Sequence, residues 1–213
     1  MNLGLITSYI IAGFIFIGIS MVNISLQSSS SELAITQITR SHVSNITEIL
    51  NDDISNMGYD VDQTTMETKG VILDCKLPHR ISFYSNIYGD PDSTARKIEW
   101  RFLKDEVLPD AKNEQHRALV RTVYDSDSGA VLDKTEIKVG ITKFQIRYFD
   151  TVGKPVDESL PSGGGCSDIT DVKQIHIELE VQSPEKVYNR AVGEGRYIRS
   201  VWDKRFTPIN LNL

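Results

Sequence analysis

Apolar and polar positions divide the chain into stretches of different period. From Leu3 to Leu26 the run LGLITSYIIAGFIFIGISMVNISL places apolar residues on every side of a helix, most densely between residues 9 and 22. At about 1.5 Å per residue it spans about 36 Å, enough to cross a hydrocarbon core of about 30 Å with some tilt. From 31 to 57 the apolar positions are Leu33, Ile35, Ile38, Val43, Ile46, Ile49, Leu50, Ile54 and Met57. Steps mostly of three and four predict an amphipathic helix with one covered and one wet face. No Pro or Gly interrupts 19–57, and the NMGYD stretch at 56–60 supplies a stop with Gly58 just past the last turn. The two helices read as one rod of about fifty residues, about 80 Å long.

Past residue 68 the period falls to two. Alternation predicts strands at 71–77, 80–87, 97–103, 118–125, 131–139, 142–150, 172–181 and 196–203. In KFQIRYF, Phe144, Ile146 and Tyr148 alternate with Gln145, Arg147 and Phe149. In VKQIHIELEV, Lys173, Ile175, Ile177, Leu179 and Val181 share one face, and Val172, Gln174, His176, Glu178 and Glu180 the other. Turns are predicted at GDPDS (89–93), DSDSG (125–129), TVGKP (151–155) and PSGGG (161–165). A helix followed by strands predicts an α+β fold, with the helix laid on one face of an antiparallel sheet. The division is 3–26 transmembrane, 27–58 amphipathic continuation and 68–213 β domain.

Charge sharpens this division. Residues 1–31 hold no Asp, Glu, Lys or Arg, so all 23 Lys and Arg and all 29 Asp and Glu lie in the other 182 of the 213 positions. The net charge of −6 falls on the body and argues against a nucleic-acid binder or a polybasic membrane-surface protein. The apolar stretch lacks the basic start and A-x-A-like site of a cleaved secretory signal. Its apolar surface runs all round, unlike that of a core helix. The first basic residue after it is Arg40, so charge barely specifies orientation.

Candidate chemistry is sparse. Cys75 and Cys166 are the two thiols. In an extracytoplasmic body they would either pair, closing a loop of about 90 residues for up to about 4–5 kcal/mol, or remain free. Neither has a neighbouring His or a C-x-x-C partner, which argues against nucleophilic or redox work. Asp125, Asp127 and Gly129 begin like a calcium loop, with Glu136 at its twelfth position, but predicted strands flank the loop, so a tight turn is the expectation. Asp90 and Asp92 read as turn residues. His42, His79, His116 and His176 show no metal-ligand spacing and read as surface or core-edge side chains. Trp100 and Trp202 are expected in the core or at its rim. The glycines at 163–165 do not lead from a strand into a helix and read as a loop tip. No catalytic residue, metal, cofactor, nucleic acid or small-molecule substrate is expected.

Four features together resemble the type IV pilin-like proteins, above all the larger minor pseudopilins of type II secretion and the minor pilins. They are the apolar N-terminal stretch, its continuation into an amphipathic helix ending NDDISNMGYD, the succession LVRTVYDSDSG…IKVGITKFQIRYFDTVGKPV, and KQIHIELEVQSPE followed by VWDKRFTPINLNL. The resemblance spans nearly the whole chain and is one of spacing. It implies a membrane-anchored structural subunit, with an extracytoplasmic body, that enters or primes an envelope filament of the type IV pilus or type II secretion kind. Its partners would be other pilin-like subunits, met through the N-terminal helix. Gly13 and Gly18 would allow close helix contacts, and Ile35, Ile38, Ile46, Leu50 and Ile54 would seat the β domain on the rod. The resemblance also implies a processing point after Gly4, with Leu5 first in the mature helix. No basic leader is expected, and Tyr9 stands where the family carries Glu. Some tip-located members also lack that acid. The other reading is a single-pass anchored binding, adhesin or sensor module.

Overall fold

The helix α1 runs unbroken over Leu3–Ser55, joining the two predicted helical stretches. The computed structural model describes residues 3–58, 77–85, 95–125, 128–156, 172–188 and 195–212. Cys75, Cys166, Asp90, Asp92, Asp127, the glycines at 163–165 and all but Leu77 of the predicted 71–77 strand lie outside the described residues.

The body is a six-stranded antiparallel sheet of β1 (Arg80–Ser85), β2 (Arg96–Phe102), β3 (Arg117–Tyr124), β4 (Val131–Phe149), β5 (Gln174–Tyr188) and β6 (Gly195–Phe206). The strands lie side by side in chain order, and α1 packs on β5 and β6. This is the α+β arrangement that the change of period implies. Alternation sets the buried face: Ile175, Ile177, Leu179 and Val181 of β5 meet Phe144 and Ile146 of β4, Trp100 of β2 and Phe83 of β1 in one core. Trp100 is fully buried, and Trp202 packs partly buried against the core.

From α1 the core takes Val43, Ile46, Leu50 and Ile54, followed by Met57 just past the helix. Thr39 and Thr47 share this face. Their hydroxyls donate to the carbonyls of Ile35 (2.9 Å) and Ser44 (3.1 Å), so both are buried without an orphaned polar group. The end of the helix is capped by distant segments. Gly58 takes a left-handed conformation (φ 72°) and its N–H donates to Tyr84 O at 2.8 Å. Ser85 Oγ donates to Asn56 O at 2.7 Å, and Asn210 Nδ2 to Met57 O at 3.3 Å. Carbonyls that a helix end leaves open thus find partners on β1 and on the 3-10 turn Ile209–Asn212.

The strands predicted at 131–139 and 142–150 are one strand of 19 residues. The apparent break is Gly140, at φ 76°, where a Cβ would stand 2.3 Å from Gln182 O. Only glycine fits there, and it marks a bend rather than an end. Before the bend β4 pairs with β3 from Val131 to Ile137, skipping Leu132; after it Ile141 still meets Arg117 of β3, and β4 pairs with β5 from Ile141 to Phe149. The register shifts on both sides, and Thr142 is the extra residue against β5. β5 bulges in turn at Ser183–Glu185, where its register with β6 breaks.

Candidate functional site: a seated rod and a cleft beside it

Along α1 the surroundings change abruptly. Side chains between Ile6 and Leu26 stand bare, Phe14 and Phe16 at 72% exposure. This part is long and apolar enough to cross a membrane. Gly13 and Gly18 have nothing within 4 Å of where a Cβ would sit, so the rod is open at both positions. From Glu32 onward one face is covered. Ile46, Leu50 and Ile54 are buried, and Ile35 is half-buried. Ile38, expected on the seating face, is 53% exposed. The seating stripe passes through its neighbour Thr39, and one residue turns a helix side chain by about 100°.

The strongest single tie between rod and sheet is polar. Asp53, 2% exposed, accepts at Oδ2 from Trp100 Nε1 (2.8 Å) and Arg121 Nε (2.7 Å), and at Oδ1 from Arg121 Nη2 (2.9 Å). A buried carboxylate in a two-pronged guanidinium bond, with an indole donor as well, fixes both the height and the rotation of the helix on β2 and β3. Asp53 follows Asp52 in a run that reads as solvated charge. Its one signal in the sequence is its spacing of three from Leu50, in phase with the apolar stripe.

Further ties run along the rod. Glu32 accepts from Arg196 at 3.0 Å, and Asn51 from Lys204. Glu32 to Asn51 is about 28 Å of helix, and Arg196 to Lys204 about 26 Å of strand, so β6 lies alongside α1.

A cleft of about 590 Å³ opens where β4 and β5 part. The turn of α1 at Ile35–His42 forms one wall and the β2–β3 loop at Leu108–Lys112 another, with Gly140, Gln182 and Pro184 at the back. The loop is moored by Asn113, which is buried and donates to Gln182 Oε1 at 3.3 Å, and by the Lys112–Glu185 pair. His116, 4% exposed, lines the cleft, and its Nε2 has no hydrogen-bond partner among the described residues. Burial pushes the imidazole below its usual pKa, against the opposite pull of hydrogen bonding to the backbone of Gln182 and Ser183. Burial thus favours the neutral form of His116, which lies at the edge of the core, against the cleft. The fold brings it to the same cleft as His42, a meeting of loop and helix that no local spacing announces.

The remaining candidates serve local structure. Asp125 Oδ1 accepts from Ser128 N and Ser128 Oγ, both at 2.8 Å, and Gly129 closes the turn at φ 68°. Glu136 is bonded by Lys134 and Lys138, which hold its pKa down at about 2. His79 Nδ1 lies 3.2 Å from Phe144 O, and His176 Nε2 lies 3.5 Å from Asp203. No three His, Cys, Asp or Glu side chains among the described residues converge to hold a metal ion. No family model matches the chain, and no curated protein or solved structure shows significant similarity to it.

Proposed function

We propose that the chain is a membrane-anchored structural subunit of the pilin-like kind, a minor pilin or pseudopilin that enters or primes an envelope filament, with its β domain outside the cytoplasm. The observation that carries this reading is the division of α1. One unbroken helix has a first half bare on every side and a second half seated on a sheet. A bare apolar rod with open positions at Gly13 and Gly18 suits packing against other helices, first in the membrane and then in a filament. The seated half passes the position of that rod to the domain through Leu50, Ile54 and Asp53.

The test is crosslinking in native membranes from a photoreactive residue at position 13 or 18. The expected result is crosslinked product with other helix-bearing subunits, and a mature chain starting at Leu5 would add prepilin-type processing. A chain that stays monomeric overturns filament incorporation. The cleft beside α1 favours the second reading, an anchored binding module, because its volume falls in the range of small-ligand sites and its wall carries an unpartnered imidazole nitrogen.

A further inference from the structure

The cleft beside α1 is built by two irregularities that face each other. Gly140 bends β4, and Ser183–Glu185 bulge from β5, so the sheet opens at one level. Gln182 O stands 2.3 Å from where a Cβ on Gly140 would lie, so the two strands touch at the back of the opening. Bulges of this kind are over-represented next to active sites. The walls are largely aliphatic, with Ile35, Ile38, Leu108, Pro109, Val139 and Pro184.

Most polar groups around the cleft are already committed. Thr39 Oγ1 donates to Ile35 O, and Gln182 accepts from Asn113 and donates to Glu180 Oε1 at 2.9 Å. Ser183 Oγ donates to Glu185 O at 2.7 Å and accepts from Ile198 N at 3.0 Å. Lys112 and Lys138 are bound to Glu185 and Glu136, which lie outside the lining. His42 and Asp110 reach water. His116 Nε2 is left, buried and without a partner among the described residues.

The state of the ring says what that nitrogen lacks. Burial favours the neutral imidazole, in which one nitrogen carries the hydrogen and the other accepts. The backbone of Gln182 and Ser183 favours the protonated ring, as carbonyl acceptors do. Such acceptors are served by the ring N–H, which leaves Nε2 as an acceptor in need of a donor. Nε2 is closed to water, and a slight turn of the ring brings it to a donor seated in the cleft. A charged head there would lose its water to aliphatic walls whose lysines already hold acids.

We propose that the cleft takes a small uncharged molecule with an apolar body and one hydroxyl, whose O–H donates to His116 Nε2. This rests on the reading of the chain as an anchored binding module and names the class of its ligand.

The full chain, carrying isotope-labelled histidine, is placed in phosphatidylcholine nanodiscs. It is titrated with para-tert-butylphenol and with the methyl ether para-tert-butylanisole, each corrected for uptake by nanodiscs alone. The phenol is expected to bind saturably and the ether about tenfold more weakly, the factor that one lost hydrogen bond gives. The His116 Nε2 resonance, assigned by its loss in His116→Gln, should move upfield with the phenol only. Ile38→Trp, at a half-exposed rim position, should fill the cleft and abolish binding of both probes. Equal affinities with an unmoved His116 signal overturn the hydroxyl class and leave the binding module standing. No saturable binding of either probe overturns both. Binding unchanged in Ile38→Trp overturns the cleft as the site. If Ile38→Trp lowers the denaturant midpoint, Leu108→Trp takes its place with the same expected loss.

Discussion

The two halves of α1 share a backbone and differ in almost everything else. The first half is apolar all round and touches nothing in its own chain. The second alternates covered and wet faces and is held by Leu50, Ile54 and the Asp53–Arg121 bond. Helix propensity and hydrogen bonding within the helix are common to both, so neither explains the difference. What separates them is the surface each presents: an apolar one all round, long enough to cross a membrane, on one side, and on the other a stripe covered by a sheet with a wet face opposite. Substitutions in the two halves should therefore report on different equilibria, folding of the domain for the seated half and, under the proposed function, association in the membrane for the bare half.

The largest effect is expected at Asp53. Asp53→Ala takes the buried carboxylate from both Arg121 and Trp100, with the more exposed Asp133 still 3.5 Å from Arg121, and should cost the domain about 3 kcal/mol in denaturant unfolding of the full chain in detergent. Asp53→Leu combined with Arg121→Met should recover part of that loss, because apolar contact replaces the buried charge pair while Trp100 Nε1 still lacks its acceptor. Next comes the direct comparison of halves. Leu50→Ala should lower stability by about 3 kcal/mol through lost burial and a cavity. Phe14→Ala should leave the same unfolding curve within about 0.5 kcal/mol. An equal loss at Phe14 would mean that the bare half contributes to the domain, and the division would fall.

The same comparison shows what could be read from the chain. The step of three and four from Val43 to Met57 marks the seated face, and the strict alternation in β5 marks its buried side. Ile38 and Asp53 were harder, because a scan for apolar residues gives weight to Ile38 and passes over Thr39, Thr47 and Asp53, which occupy the stripe with their polar groups satisfied. Gly140 was misleading in another way. Glycine between two alternating runs reads as the end of a strand, whereas here it bends one strand and changes its partner. The cleft was not legible. Ile35, Leu108, His116 and Pro184 come from helix, loop and strand, and only the fold gathers them.

Two smaller effects sharpen the boundary between rod and cleft. Gly140→Ala must take a left-handed backbone and push a methyl against Gln182 O, which should cost about 2 kcal/mol in the same unfolding measurement. The smallest expected effect is a pH dependence. Burial keeps His116 neutral in the folded chain, so the unfolded chain takes up its proton first as pH falls below about 6.5. The stability tied to this residue is complete above that pH and declines as pH drops towards the lowered folded value. Comparing the slopes of wild type and His116→Gln between neutral and mildly acidic pH checks this; the variant should be flatter. An unchanged slope would place the acid sensitivity elsewhere.

The order of the strands bears on how the chain assembles as it is made. Each strand pairs with the one before it, so the sheet can grow hairpin by hairpin through short loop closures, a topology that favours fast folding. The helix must wait. Its partners on β5 and β6 are among the last segments to emerge, and Asn210, which caps its final turn, comes later still. During synthesis the stripe through Leu50 and Ile54 is therefore exposed while its cover is still being made, and such surface is aggregation-prone. The arrival of β6 is the step that closes the fold, and a chain ending before Gly195 would keep only part of the seat for its rod, on β5 and at the Asp53–Arg121 bond.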